Sequence, residues 1–166
     1  LIAKGRGWDD INDTKQLINL PLERQEKLRI AMFDRGPGTE WLQYLGLLDQ
    51  GTPYQTMSGD SENNTAMQIE KDIKAKKIDM VVLWGPLAGH VLAQSPNNTY
   101  TEIQMPNNLP GIKFEFSMSM GVRQADKDRK KQLDALIEKN RDKIQQILAA
   151  YQIPLLPIPA EKAHDD

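Results

Sequence analysis

Apolar positions along this chain fall into short blocks separated by turn residues, and the blocks alternate between strand-like runs and helical spacing. Residues 27–33, Lys-Leu-Arg-Ile-Ala-Met-Phe, have the apolar content and polar flank of a buried strand, which stops at the loop Asp-Arg-Gly-Pro-Gly-Thr, Asp34 to Thr39. Beyond it the spacing of Trp41, Leu42, Leu45 and Leu48 predicts a helix, with Thr39 as N-cap and Glu40 at the positive end of the helix dipole. Residues 63–77 repeat the theme: Ala66, Ile69 and Ile73 share one face, and lysines crowd the last turn. Ile78 to Trp84 then reads as a strand covered on both faces, being wholly apolar after Asp79. Gly85 turns the chain, and Pro86 takes the first position of a short helix running to Gln94.

The flanking segments are less regular. Gly7 to Leu17 predicts a turn and a short helix capped by Asp10 or Asn12, and Asn19 to Lys27 a polar connection in which Pro21 stops any helix. Ser95 to Gly111 is a loop rich in Asn and Pro, with a short strand at Tyr100 to Met105. The clearest alternation follows: Ile112, Phe114, Phe116, Met118 and Met120 lie on one side, Lys113, Glu115, Ser117 and Ser119 on the other. Asp126 to Pro154 predicts a long amphipathic helix through Leu133, Leu136, Ile137, Ile144, Ile147, Leu148 and Tyr151, interrupted at Asn140 and ended by Pro154. The last twelve residues are too rich in proline and charge for regular structure. Alternating strands and helices place the chain in the α/β class, with a mainly parallel sheet and flanking helices.

Composition narrows the function classes. A length of 166 residues suits one domain or two small lobes. With 21 Lys and Arg against 23 Asp and Glu, and no basic block longer than Lys127 to Lys131, a nucleic-acid partner is disfavoured. The longest apolar run, Met80 to Trp84, is far too short to insert into a membrane as a span. There is no cysteine, which removes thiol catalysis and thiolate metal sites. The two histidines, His90 and His164, lack metal-ligand spacing.

Two loops carry what chemistry there is. Gly36-Pro37-Gly38-Thr39 at the mouth of a helix offers free N–H groups, a dipole and a hydroxyl to a carboxylate or phosphate; since it matches no phosphate-loop or dinucleotide pattern, its leading reading is a plain strand-to-helix turn with a Thr cap. Trp84-Gly85-Pro86 puts an indole at the tip of a strand, either as an apolar wall or interface anchor or as a core residue beside a turn. His90 on the following helix reads as a surface histidine. The pairs Asp9-Asp10, Asp126 with Asp128, and Asp165-Asp166 read as solvated charge, and the sequons beginning at Asn63 and Asn97 matter only in a eukaryotic secretory route. A serine without a placed base is no nucleophile, so no enzyme activity is expected.

Taken in order, "LRIAMFDRGPGTEWL", "IKAKKIDMVVLWGPLAG" and the run from "FSMSMGVR" to "ILAAYQIPLL" resemble the type 3 extracellular solute-binding proteins of bacteria. Within them, "WGPLAG", "FSMSMGVR" and "ILAAYQIPLL" are most similar to the J-protein subgroup associated with quinoprotein methanol dehydrogenases. The resemblance implies a type II periplasmic binding protein fold of two α/β lobes joined by crossing strands. Residues 1–26 would be a crossing strand and connection, 27–105 the second lobe, and 106–166 the returning strand, closing helix and tail of lobe one. Most of lobe one is then expected to be missing from the chain. The resemblance further implies a periplasmic, non-enzymatic accessory of methanol oxidation that contacts a PQQ-dependent methanol dehydrogenase, with PQQ and its metal belonging to that partner and no cofactor of its own. The alternative is a receptor for a small anionic solute held by Gly36, Gly38, Thr39, Trp84 and Gly85. Amino-acid receptors of the family carry an Asp at the strand end where Trp84 stands here, so the counter-charge for an amino group is absent.

Overall fold

The apolar run at the end of the second block forms the centre of a five-stranded mixed sheet. The computed structural model describes residues 1–56, 64–106 and 109–157. Its strands are β1 (Ile2–Ala3), β2 (Ile30–Phe33), β3 (Gly51–Tyr54), β4 (Met80–Val81) and β5 (Tyr100–Thr101), ordered β3-β2-β4-β1-β5. β2 pairs in parallel with β3 and β4, whereas β1 runs antiparallel to both β4 and β5. Four strands therefore point one way, and the amino-terminal strand enters against them. The fold is α/β, as the alternating pattern indicates.

Among the described residues seven α-helices accompany the sheet: α1 (Thr14–Ile18), α2 (Leu22–Gln25), α3 (Pro37–Tyr44), α4 (Thr65–Lys74), α5 (Gly85–Gln94), α6 (Lys127–Lys139) and α7 (Arg141–Ala150). Successive strand residues feed opposite faces. Ile2, Ile30, Met32 and Met80 join Trp8, Ile11, Leu17, Trp41, Leu42 and Leu47 in one core cluster. Ala3, Ala31 and Val81 meet Ile69, Ile73 and Ile78 in the other. Burial on both faces is what a crossover topology demands of its central strands.

Two helix ends show why the chain turns where it does. At the end of α3, Leu47 N–H donates to Leu42 O at 2.8 Å and Gly46 N–H to Gln43 O at 3.1 Å, with Gly46 at φ +70°. This closing motif needs a left-handed residue, and it carries Leu47 rather than Leu48 into the core. α4 closes in the same way through Lys77 to Asp72 O and Lys76 to Ile73 O, but Lys76 holds the left-handed position without being glycine.

Several expectations are corrected. Helix α3 begins at Pro37 with Gly36 as N-cap, so Thr39 lies inside the helix rather than capping it. α1 is capped by Asp13, whose side chain accepts from Gln16 N–H, and Asp10 instead pairs with Arg24 at 2.8 Å, which holds its carboxyl below the usual range. Pro21 starts α2 rather than stopping a helix. β3, Gly-Thr-Pro-Tyr, escaped the reading because Pro53 argues against a strand; as an edge strand it tolerates the missing donor. Residues 112–120 form no strand, and Phe116, Met118 and Met120 are 57, 79 and 63 % exposed. Only a neighbouring strand can complete such a segment, and among the described residues it has no more than the isolated bridge of Ile112 to Leu109. The long helix is interrupted at Asn140 as its sequence indicates, but α7 ends at Ala150 rather than at Pro154, and neither α6 nor α7 buries a residue.

Candidate functional site

The parallel strands β2 and β4 are neighbours, and the chain leaves them in opposite directions across the sheet. That is the point where ligand crevices open outside the carboxyl ends of strands in α/β sheets. The loops that follow are Asp34 to Gly36, leading into α3, and Val82 to Trp84, leading into α5. Both loops picked out in the sequence thus stand side by side at one edge. Their contact is close: a Cβ built on Gly38 would lie 2.9 Å from Val82 Cγ1. Glycine at 38 is what lets the start of α3 lie against the end of β4.

The polar groups at this edge are mostly committed to the protein. Thr39 Oγ1 donates to Phe33 O at 2.7 Å, tying helix to strand, so its proton does not face the crevice. Gly36 N–H donates to the same carbonyl at 3.1 Å, and Thr39 and Glu40 N–H both return to Gly36 O. At the second tip Trp84 is the N-cap of α5, its carbonyl accepting from Ala88 N–H, while its side chain is 50 % exposed. A Cβ on Gly85 would stand 3.0 Å from Pro154 Cγ, and one on Gly89 only 2.5 Å from Gln152 O. The turn after α7 therefore lies on the first half of α5, and Pro154 screens Gly85.

Arg35 is a residue the sequence reading missed. It occupies the tip of the first loop at φ +58°, with its side chain almost wholly in solvent and Asp34 at 3.9 Å. A cation flanked by Asp and Gly in a strand-to-helix loop was the available signal. At the neighbouring strand end, Tyr54 O–H donates to Asp72 of α4 at 2.8 Å. Burial first, then this carboxylate, pushes the phenol far above its ordinary range, which keeps it neutral.

The remaining candidates are dispersed. His90 is exposed on α5, and among the described residues no three His, Asp or Glu side chains gather as a metal site. Asp9 accepts from Gly5 N–H, Asn64 caps α4, and Asp165 and Asp166 lie outside the described residues, as does Asn63. Lys113, Glu115, Ser117 and Ser119 are solvent-exposed. No described helix is long and apolar enough to cross a membrane.

What the edge offers is an exposed indole and a cation beside a loop whose hydroxyl is already used. That arrangement favours a contact surface over a closed receptor for a carboxylate. No family model, curated protein or solved structure matches the chain.

Proposed function

We propose that this chain is the second lobe, with the returning segment, of a type II solute-binding-protein-like protein of the periplasm, and that it works by protein contact rather than catalysis. The antiparallel entry of β1 between β4 and β5 supports the fold assignment, since a strand arriving from another lobe is free to run against the parallel set. Arg6, just beyond it, anchors the arrival: it donates to Ile73 O at 2.5 Å and Ile78 O at 2.8 Å and faces Asp79.

The observation that carries the contact role is the exposed apolar series Phe116, Met118, Met120, Leu136, Ile147 and Tyr151. Each belongs to residues 106–166, the part assigned to the other lobe, and each sits where the sequence alternates or repeats as a buried face would. Apolar side chains exposed at positions patterned for burial are what a surface covered by a partner leaves behind. The covering surfaces are lobe one and, through the Trp84 edge, a PQQ-dependent methanol dehydrogenase. The resemblance supplies the dehydrogenase as partner; PQQ and its metal stay with it, and this chain carries no cofactor.

The receptor alternative lacks a comparable observation, because Thr39 spends its donor on Phe33 O and Pro154 screens Gly85. Co-elution with a PQQ-dependent methanol dehydrogenase on a sizing column, at low and moderate salt, tests the reading. A complex that Trp84→Ala weakens by about tenfold supports it. Absence of a complex at either salt, together with thermal stabilisation by a small anion that Thr39→Ala abolishes, replaces it with the receptor.

A further inference from the structure

We propose that the half-open cleft between α4, β5 and the end of α5 is a binding site for a small organic carboxylate. Its volume is about 170 Å³, and Ala3 and Ile73, each 4 % exposed, give it an apolar floor. Ala3 N–H donates to Asp79 O at 2.8 Å, which puts the cleft at the amino end of β4, the opposite end of the sheet from the Trp84 edge. The cleft shares no residue with the proposed contact surfaces, so either assignment can fail alone.

Three cations, Lys4, Arg6 and Lys74, line the cleft against the single carboxylate of Glu70. The charges of Glu70, Lys74 and Arg6 all act on the phenol of Tyr100, which gathers their heads around one space. Burial first, then Glu70, pushes that phenol above its ordinary range, so Tyr100 stays neutral. Arg6 is held in place: Nη1 donates to Ile78 O at 2.8 Å and Nη2 to Ile73 O at 2.5 Å, and Asp79 at 3.5 Å offsets part of its charge. Lys74 is adjustable. It pairs with Glu70 at 2.5 Å across one helical turn, with side chains 73 and 47 % exposed, and an exposed pair of this kind gives way readily to another carboxylate.

Both α4 and α5 end at the cleft, and helix carboxyl ends ordinarily repel anions. Here their carbonyls are already covered: Ile73 O accepts from Arg6, Val91 O from Ser95 Oγ at 2.7 Å, and Leu92 O from Ser95 N–H at 3.3 Å. The excess of cations then sets the sign of the cleft. A cavity of about 150 Å³ accommodates benzene, so this one takes roughly six to nine heavy atoms. A cationic guest would meet three like charges, and inorganic phosphate would leave the Ala3 and Ile73 floor uncovered. A carboxylate with a short branched body satisfies both the charge and the floor.

The test is an amide ¹H–¹⁵N titration of the full chain with isobutyrate, beside isobutyramide, isobutylamine and inorganic phosphate. Isobutyrate is expected to shift the amides of Lys4, Lys74, Ser95 and Tyr100 saturably. The amide and the amine should give no saturable shift, and phosphate should bind at least about tenfold more weakly. Lys74→Gln should weaken isobutyrate by about tenfold, the loss of one charge-assisted hydrogen bond, whereas Glu70→Gln should tighten it by about threefold by releasing Lys74. Both side chains are exposed, so neither change threatens the fold. Isobutyrate shifts that are absent or confined to residues 36–40 overturn the proposal. So does an amine or phosphate that binds as tightly, or a Glu70→Gln variant that weakens isobutyrate as Lys74→Gln does.

Discussion

Gly89→Ala sets two physical effects against each other. Gly89 lies in the middle of α5, where helix propensity alone makes alanine better by about 1 kcal/mol. The added Cβ would, however, stand 2.5 Å from Gln152 O and 2.8 Å from both Gln152 C and Tyr151 O. These are backbone atoms, so no rotamer change relieves the clash, and the turn after α7 must lift. Overpacking of this kind costs about 1–3 kcal/mol. The cost is capped by the free energy with which the segment docks, so we expect a net loss of about 1 kcal/mol. For a chain of this size that is a fall in Tm of roughly 2–4 °C. Urea unfolding measures the sign, and hydrogen exchange locates it: amides of α7 and of Gln152 and Ile153 should lose protection while β2 and β4 keep theirs. Gly85→Ala, facing only the Pro154 ring at 3.0 Å, should be milder. A variant stabilised by about 1 kcal/mol with unchanged exchange in α7 would show that α5 does not carry the returning segment.

Other perturbations probe the lobe itself. Asp79 is 2 % exposed and receives Arg29 through Nε at 2.8 Å and Nη2 at 2.6 Å, with Arg6 at 3.5 Å; Asp79→Asn should cost about 2–3 kcal/mol in urea unfolding. Arg29→Gln should cost only about 1 kcal/mol, because Arg29 is half exposed and Asp79 keeps Arg6; equal effects would argue against that asymmetry. Lys76→Gly should stabilise by about 0.5–1 kcal/mol, since Lys76 holds φ +60° at the close of α4, whereas Lys71→Gly inside that helix should lose a similar amount. The α-amino group of Leu1 donates to Val81 O at 2.9 Å, and burial lowers it from its ordinary 8.0 to about 6. Between those values the unfolded state binds more protons, so thermal stability of the 166-residue chain should rise as pH goes from 6 to 8, by roughly 1–2 kcal/mol. Acetylation of the amine should flatten that rise.

How much was legible in the sequence depended on how local each cause is. β2 and β4 were readable because strands buried on both faces are apolar at every position, and the side-by-side loops then follow from α/β topology. The start of α3 was misplaced although Pro37 carries the same signal that located α5 at Pro86; a proline at the first helical position outranks a threonine two residues on. Leu48 was taken for core because spacing was extended past Gly46, where the left-handed turn shifts burial to Leu47. Residues 112–120 show the limit most plainly. Their alternation predicts a strand with one buried face, yet Phe114 alone packs on the core while Phe116, Met118 and Met120 stay exposed, because among the described residues no neighbouring strand pairs along the segment. At the site, residue types were readable and their commitments were not. The Thr39 bond to Phe33 O spans six residues and the Pro154 contact with Gly85 nearly seventy, and both arise only from the folded arrangement.

The central claim is that the apolar face of residues 112–156 and the Trp84 edge are protein-contact surfaces. Hydrogen exchange of the full chain, alone and mixed with a PQQ-dependent methanol dehydrogenase, tests it most directly. The account expects slowed exchange in residues 112–120, in α6 and α7, or in residues 82–88 around Trp84, with the sheet unchanged. Exchange that is identical with and without the dehydrogenase across all of these segments, while a small anion protects residues 36–40, would contradict it.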